Sequence, residues 1–193
     1  MLTALAKPGR NVEIAMARWM TLLLLIGVLS SFVSCASEKK PLSPEALALR
    51  ARYGELLKIQ HFGYITVHVN GDGETIGLND NDLTDYAKLR FKNNFSRVSY
   101  EEVSKEEFKT LASDAAKARA VGVFSCRIWV VGNNYPIAYH VKCEGGNPNN
   151  FSIWSDEVLG YGSKSNFPEA VRKSISEMME KLALIYFKIR GEI

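Results

Sequence analysis

The spacing of apolar residues predicts a helix and then a strand after the first forty residues. Ser43, followed by proline and glutamate, is typical of a helix start, and apolar residues recur at helical spacing from Leu47 to Leu57. We therefore expect a helix that runs to about Gln60. Apolar and polar residues then alternate from Tyr64 to Val69, which predicts a strand with one buried face.

The middle of the chain continues this order of helix and strand. Apolar residues recur at helical spacing in LTDYAKLRFKNNF, and Asp82 directly before this run is the expected N-cap. The segment from Arg97 to Val103 (RVSYEEV) predicts a second strand, joined to the first by a parallel crossover. Ser104 begins a third helix, with Phe108 and Leu111 on its apolar face.

The last third of the chain predicts a three-stranded meander and a closing helix. Residues 121–131 are rich in β-branched and aromatic side chains, GNNYP is a turn, and the chain returns as a strand from Ile137 to Glu144. FSIWSDEVLGYG supplies the third strand. A broad apolar stripe then follows a helix that stops before Gly191. The stripe consists of Phe167, Val171, Ile175, Met178, Met179, Leu182, Ile185, Tyr186 and Ile189.

These elements predict one α+β domain. Helices of this kind need a sheet face to cover, so we expect a two-layer sandwich with a mixed sheet. The sheet ends in the C-terminal antiparallel meander, and the amphipathic helix closes the domain. The domain spans residues 43–193, and residues 36–42 form a short polar tether before it. About 150 residues are enough to bury a sizeable core.

The first 35 residues have the pattern of a signal peptide. Arg18 gives a short basic region, and an apolar run from Met20 to Val33 follows it. This run is shorter than the roughly 20 residues that a transmembrane helix needs. The residues before Met16 add nothing to this pattern, so Met16 is the expected start of translation.

The end of the leader, Phe32-Val33-Ser34-Cys35, resembles the lipobox of bacterial lipoproteins. The resemblance implies diacylglycerol in thioether linkage on Cys35, cleavage before it and acylation of the new amino terminus. Ala36 is not the aspartate associated with inner-membrane retention, so the resemblance implies an outer-membrane protein that faces the periplasm. Two alternatives stay open: secretion with an incidental cysteine, and an uncleaved membrane anchor.

Cys126 and Cys143 form a second cysteine feature. If the hairpin loop is residues 133–136, the two cysteines lie opposite each other on the apolar face of the strands. Such neighbours are close enough for a disulfide in a non-hydrogen-bonded pair, and an exported protein meets an oxidising compartment. We therefore expect a structural Cys126–Cys143 disulfide, which leaves Cys35 for the lipid. Two reduced core cysteines are the alternative.

Charge and motifs exclude several classes of function. The formal net charge is +3, and the leader contributes +2 of it through Lys7, Arg10 and Arg18 against Glu13, so about +1 remains. A near-neutral domain has no electrostatic basis for binding nucleic acid.

Motifs for catalysis or metal binding do not occur in the sequence. His61, His68 and His140 have no metal spacing, and the oxygen-rich NGDGE and NDNDLTD lack the spacing of an EF-hand. We expect neither an enzyme nor a metal ion or other cofactor.

Three aromatic residues are candidates for partner binding: Trp129, Trp154 and Tyr135. Trp129 points away from the cysteine face, toward the side of the sheet predicted to be polar. If Trp154 lies beside it on the next strand, the sheet presents an aromatic patch, which is a common docking surface. The alternative is a second helix that covers this face.

The order of elements resembles that of a group of envelope domains. These are the N-terminal domain of the Tol-system propeller protein and the lipoprotein activators of penicillin-binding proteins. The shared features are the LTDYAKLRFKNNF helix, the FSRVSY strand, the AVGVFSCRIWVV hairpin and the closing helix, over about residues 64–191. The resemblance implies a non-enzymatic adaptor that docks envelope proteins.

The expected function is therefore that of a lipid-anchored adaptor or scaffold in the cell envelope, with an envelope protein as its partner. The alternative is a periplasmic carrier or sensor of a small apolar ligand. That ligand would lie between sheet and helices, in a cavity lined by Phe91, Phe95 and Tyr186.

Overall fold

The structure, a computed structural model, describes residues 41–134 and 136–193. The predicted leader, its start at Met16 and Cys35 lie outside these residues, as does most of the tether. The helices are α1 (Pro44–Tyr53), α2 (Asp80–Asn94), α3 (Lys105–Ser113), α4 (Ala115–Ala120) and α5 (Phe167–Arg190). The strands are β1 (His61–Gly71), β2 (Val121–Val131), β3 (Ile137–Asn147) and β4 (Asn150–Gly162). Short 3₁₀ helices follow α1 at Gly54–Lys58 and β1 at Glu74–Ile76.

The four strands form one mixed sheet in the order β1-β2-β3-β4. β1 and β2 are parallel, whereas β2, β3 and β4 form the antiparallel meander that the sequence predicted. The hairpin register places Cys126 opposite Cys143, as the predicted loop requires. With α5 closing the domain, the fold class is the predicted α+β sandwich.

The core lies between the sheet and the helices α1, α2 and α5. Every second residue of β2 points into it, from Phe124 through Cys126 and Ile128 to Val130. α5 contributes its predicted stripe, of which Ile185 alone is only partly buried. The alternate, inward-pointing residues of the strands therefore pack against the apolar stripe of α5 on one face of the sheet.

Two helix boundaries differ from the prediction. The first helix ends at Tyr53 rather than near Gln60, and a 3₁₀ helix continues it to Lys58. The carbonyls of Leu56 and Leu57 accept hydrogen bonds from the guanidinium of Arg190, at 3.2 and 3.1 Å, and not from a further α-turn.

The N-cap of α2 is Asn79 and not Asp82. The side chain of Asn79 accepts from the backbone N–H groups of residues 81 and 82, at 2.8 and 3.2 Å. The helix therefore begins at Asp80, one residue after its cap, and the predicted cap already lies inside its first turn.

The predicted strand from Arg97 to Val103 is wrong. This segment makes a single parallel bridge to β1, between Tyr100 and Phe62, and the parallel neighbour of β1 is β2. Beyond this bridge α2 occupies the edge of β1. The N–H of Val67 donates to Oγ1 of Thr84 at 3.0 Å, and the N–H of Val69 donates to Oδ1 of Asp80 at 2.8 Å. Side chains of α2 thus accept hydrogen bonds from the backbone N–H groups of β1 that a fifth strand would need.

Candidate docking surface

The two faces of the sheet differ in what covers them. One face packs against α1, α2 and α5. On the other face, named here the open face, α3 covers one end through Phe108. The ring of Phe108 lies 5.0 Å from the ring centroid of Tyr64 and 5.8 Å from that of Phe151. In the described part of the chain no helix covers the opposite end of this face.

The uncovered end carries a cluster of exposed apolar side chains, named here the open-face patch. The exposed fractions are 38% for Trp129, 70% for Val131, 78% for Leu159 and 80% for Tyr161. Exposed Ala138 lies among them. The patch surrounds a shallow concavity of about 510 Å³, with His140 in its floor.

The strand register explains why these residues meet. Trp129 pairs with His140, which pairs with Leu159, so these three side chains form one row across β2, β3 and β4. Val131, Ala138 and Tyr161 form the next row. Residues opposite each other in a sheet point to the same face, so both rows lie on the open face.

Contacts within the first row fix the tryptophan. The rings of Trp129 and His140 stack with centroids 5.3 Å apart and an angle of 18° between their planes. Nε2 of His140 lies 3.2 Å from Oε2 of Glu157 on β4. The histidine is thereby held under the indole, on the outward face predicted for it.

Trp154 does not join Trp129 in the patch, which corrects the prediction. It is 3% exposed and lies in the core, because it is five residues from Leu159 and therefore on the opposite face of β4. Its strand neighbour is Gly145. A Cβ at Gly145 would lie 2.8 Å from the side chain of Leu182 and 3.4 Å from the indole, so the glycine makes room for both.

The predicted site residues thus separate into several groups. Trp129 is exposed, Trp154 is in the core, and Tyr135 and Cys35 lie outside the described residues. Cys126 and Cys143 are joined by a disulfide in the core, with Cα atoms 4.0 Å apart.

Sequence reasoning missed the other members of the patch: Val131, Ala138, Leu159 and Tyr161. The hairpin register was an available signal for Val131 and Ala138, which it places on the face of Trp129. Leu159 and Tyr161 join them through the pairing of β3 with β4, for which the sequence offers no such signal.

A second concave region is an acidic cleft of about 780 Å³ between the segment after α2 and the helices α3 and α4. Two of its carboxylates cap helices. Glu107 accepts from the backbone N–H of Ser104 in a capping box, and this bond lowers the pKa of Glu107. Asp114 caps α4, and bonds from the backbone N–H groups of that helix lower its pKa. Among the residues described, no group of three His, Cys, Asp or Glu side chains is arranged to hold a metal ion.

The oxygen-rich loop NGDGE also serves the fold. Gly71 and Gly132 adopt left-handed backbone conformations, with φ of 70° and 93°, at the adjacent ends of β1 and β2. Asp72 joins the two turns, because its Oδ2 accepts from the N–H of Gly132 at 2.9 Å.

The aromatic residues proposed to line a ligand cavity pack directly against one another. The rings of Phe91 and Phe95 stack with centroids 4.5 Å apart, and that of Tyr186 meets Phe95 edge-on at 5.4 Å. All three residues are at most 2% exposed. No observation on these residues favours the carrier hypothesis.

None of the helices in residues 41–134 and 136–193 has both the length and the apolar character to cross a membrane.

Comparison with known proteins gives little beyond a weak likeness in fold. No family model matches the chain. No curated protein matches it either. Among solved structures, a PelC variant from Paraburkholderia phytofirmans, described as a dodecamer, shows 13% identity and a TM-score of 0.42, covering 64% of this chain and 87% of that chain. A second PelC dodecamer from the same organism shows 11% identity and a TM-score of 0.40, covering 68% and 89%. At these values the likeness carries no argument about what the present protein binds or how it assembles.

Proposed function

We propose that the protein is a lipid-anchored lipoprotein of the cell envelope that acts as a protein-binding adaptor, with the open-face patch as its docking surface. The observation that carries the docking part is the patch itself. Its exposed side chains come from three strands, and α3 covers only the other end of the same face. Exposed apolar side chains scattered singly are normal, whereas a contiguous group is typical of an interaction site.

The size of the patch supports a protein partner. Its four most exposed side chains present on the order of 500 Å² of surface, within the roughly 300–600 Å² of the largest patch on a typical monomer. Burying apolar surface contributes about 25 cal/mol per Å², so coverage of the patch offers roughly 10 kcal/mol before the costs of association. Tryptophan and tyrosine are also the residues enriched at binding hot spots.

The anchor part of the proposal depends on the leader. A short apolar run that ends in Ser34-Cys35 is what lipid attachment requires, and the near-neutral domain provides no electrostatic attachment to a membrane. The lipid anchor holds this domain, which has no catalytic motif, at one membrane surface. The anchor thereby limits which partner proteins the domain meets.

Site-specific photo-cross-linking in the native cell envelope tests the docking surface. We expect a photoreactive amino acid in place of Leu159 to give a discrete adduct with one envelope protein. The same amino acid in place of Leu89, an exposed leucine on α2, should give none. Val131→Lys should lower the yield from position 159 about tenfold or more, because it places a charge within the apolar patch.

Equal adducts from positions 159 and 89 would contradict the proposal. So would an unchanged yield from position 159 in the Val131→Lys protein.

A further inference from the structure

β4 forms an edge of the sheet, and the register shows which of its backbone groups point outward. The Cα atoms of Cys126 and Cys143 lie 4.0 Å apart, the short spacing of a non-hydrogen-bonded pair. The backbone N–H and C=O of Cys143 therefore point away from β2 and toward Asp156, its partner on β4.

Alternation along β4 follows from this pair. Asp156, Val158 and Gly160 direct their backbone groups to β3, so Leu159 and Tyr161 direct theirs outward. Glu157 is consistent with this assignment, since its N–H donates to Oδ1 of Asp156 at 3.0 Å and not to β3. Leu159 and Tyr161, whose backbone groups point outward, are thus also the residues of β4 whose side chains extend the open-face patch.

The two edge strands of the sheet differ in whether the chain provides partners for their outward backbone groups. On β1 the chain itself takes the outward donors: Phe62 donates to the carbonyl of Ser99, Val67 to Thr84 and Val69 to Asp80. In residues 41–134 and 136–193 the N–H and C=O of Leu159 and Tyr161 have no partner on the outer side of β4. An unprotected edge is a template for another strand.

We propose that this edge accepts an extended segment of the partner protein as a fifth, antiparallel strand, whose side chains then cover the open-face patch. The inference rests on the proposed adaptor function and specifies how its partner binds. In such an addition, backbone hydrogen bonds give affinity and alternate side chains give specificity.

The residues of β4 define the chemistry of the segment. Positions opposite Tyr161 and Leu159 lie on the open face beside apolar side chains, so they require apolar residues. The position opposite Glu157 favours a basic residue, because that carboxylate is 65% exposed and contacts His140, whereas Lys142, its neighbour on β3, is paired with Glu144 at 3.0 Å. Read from its amino end, the segment has the pattern apolar-x-apolar-x-basic.

Charge argues against a second copy of this chain as the occupant. β4 contains aspartate and glutamate but no lysine or arginine, so a second β4 strand beside the first would place no basic side chain opposite Glu157.

A synthetic peptide tests the inference. It carries valine, phenylalanine and lysine at three alternate positions, with serine and threonine between and around them. Amide hydrogen exchange of the full chain is followed by NMR with and without this peptide. We expect exchange at Leu159 and Tyr161 to slow about tenfold or more, since each amide gains a partner. The amides of Val158 and Gly160, already bonded to β3, should not change.

Backbone and charge variants make the test specific. N-methylation of the phenylalanine, whose N–H faces Leu159, should abolish binding, whereas N-methylation of a neighbouring threonine, whose N–H points away, should not. Glu157→Lys should abolish binding of the lysine peptide, and a peptide with glutamate in place of lysine should restore it.

Three results would overturn the inference: no binding of the peptide, binding without slower exchange at Leu159 and Tyr161, or slow exchange there without peptide that increases with protein concentration. The last result would assign the edge to a second copy. If the peptide fails while the cross-link from position 159 succeeds, the proposed function stands without this inference. If the peptide binds and the cross-link fails, the adaptor function is wrong.

Discussion

Trp129 combines exposure with a fixed position. Its indole is 38% exposed, and the stack on His140 holds it before any partner arrives. A side chain that is ordered in the free protein loses less conformational freedom on binding, which otherwise costs about 0.5–1.5 kcal/mol per side chain. The Trp129–His140 stack therefore prepares the centre of the patch for docking.

The Cys126–Cys143 disulfide should contribute measurably to stability. The two cysteines are 17 residues apart, and a loop of this size corresponds to about 3 kcal/mol in the chain-entropy model. We expect a reductant to lower the free energy of unfolding in urea by about that amount. The Cys126→Ala/Cys143→Ala protein should show the same low stability and no further response to the reductant. Equal stability of the oxidised and reduced wild type would contradict this expectation.

At the level of elements, the sequence predicts best those features that local residues determine. The hairpin register followed from its turn, and the core stripe of α5 from its helical period. The segment from Arg97 to Val103 has the composition of a strand and still forms none. The edge of β1 along which this segment would have to pair is occupied by Thr84 and Asp80, which belong to α2, earlier in the chain. Competition of this kind depends on tertiary position, so a local pattern cannot reveal it.

Thr84→Val tests how much the protected edge of β1 contributes. Valine keeps the shape of threonine but removes the oxygen that accepts from the N–H of Val67. We expect the free energy of unfolding to fall by about 1–3 kcal/mol, with faster hydrogen exchange at Val67. Thr110→Val on α3 is the matched control, because that exposed hydroxyl only donates to the carbonyl of Glu106. Equal effects of the two substitutions would show that the edge contributes nothing specific.

For the whole molecule, the candidate surface was predictable only in part. The outward direction of Trp129 follows from its place between Cys126 and the hairpin turn. The exclusion of Trp154 and the inclusion of Leu159 depend on the pairing of β3 with β4, which the turn GGNPNN does not fix. This pairing includes an irregularity between Gly145 and Asn147, next to that turn. A one-residue difference in register exchanges the two faces of a strand, so the patch could not be assigned before the structure.

The proposed lipid anchor depends on the leader sequence and not on the folded domain. Metabolic labelling with a palmitate analogue tests it. We expect the wild type to take up label and the Cys35→Ala protein to take up none, because the thiol is the attachment point. The Cys126→Ala/Cys143→Ala protein should keep its label, since its only sulfhydryl is that of Cys35. After cell fractionation the labelled proteins should stay with the membranes, because each buried methylene contributes about 0.8 kcal/mol and several acyl chains anchor firmly. An unlabelled wild type, or label that persists in Cys35→Ala, would remove the lipid anchor from the proposal. The docking surface would then have to serve a protein without a lipid anchor.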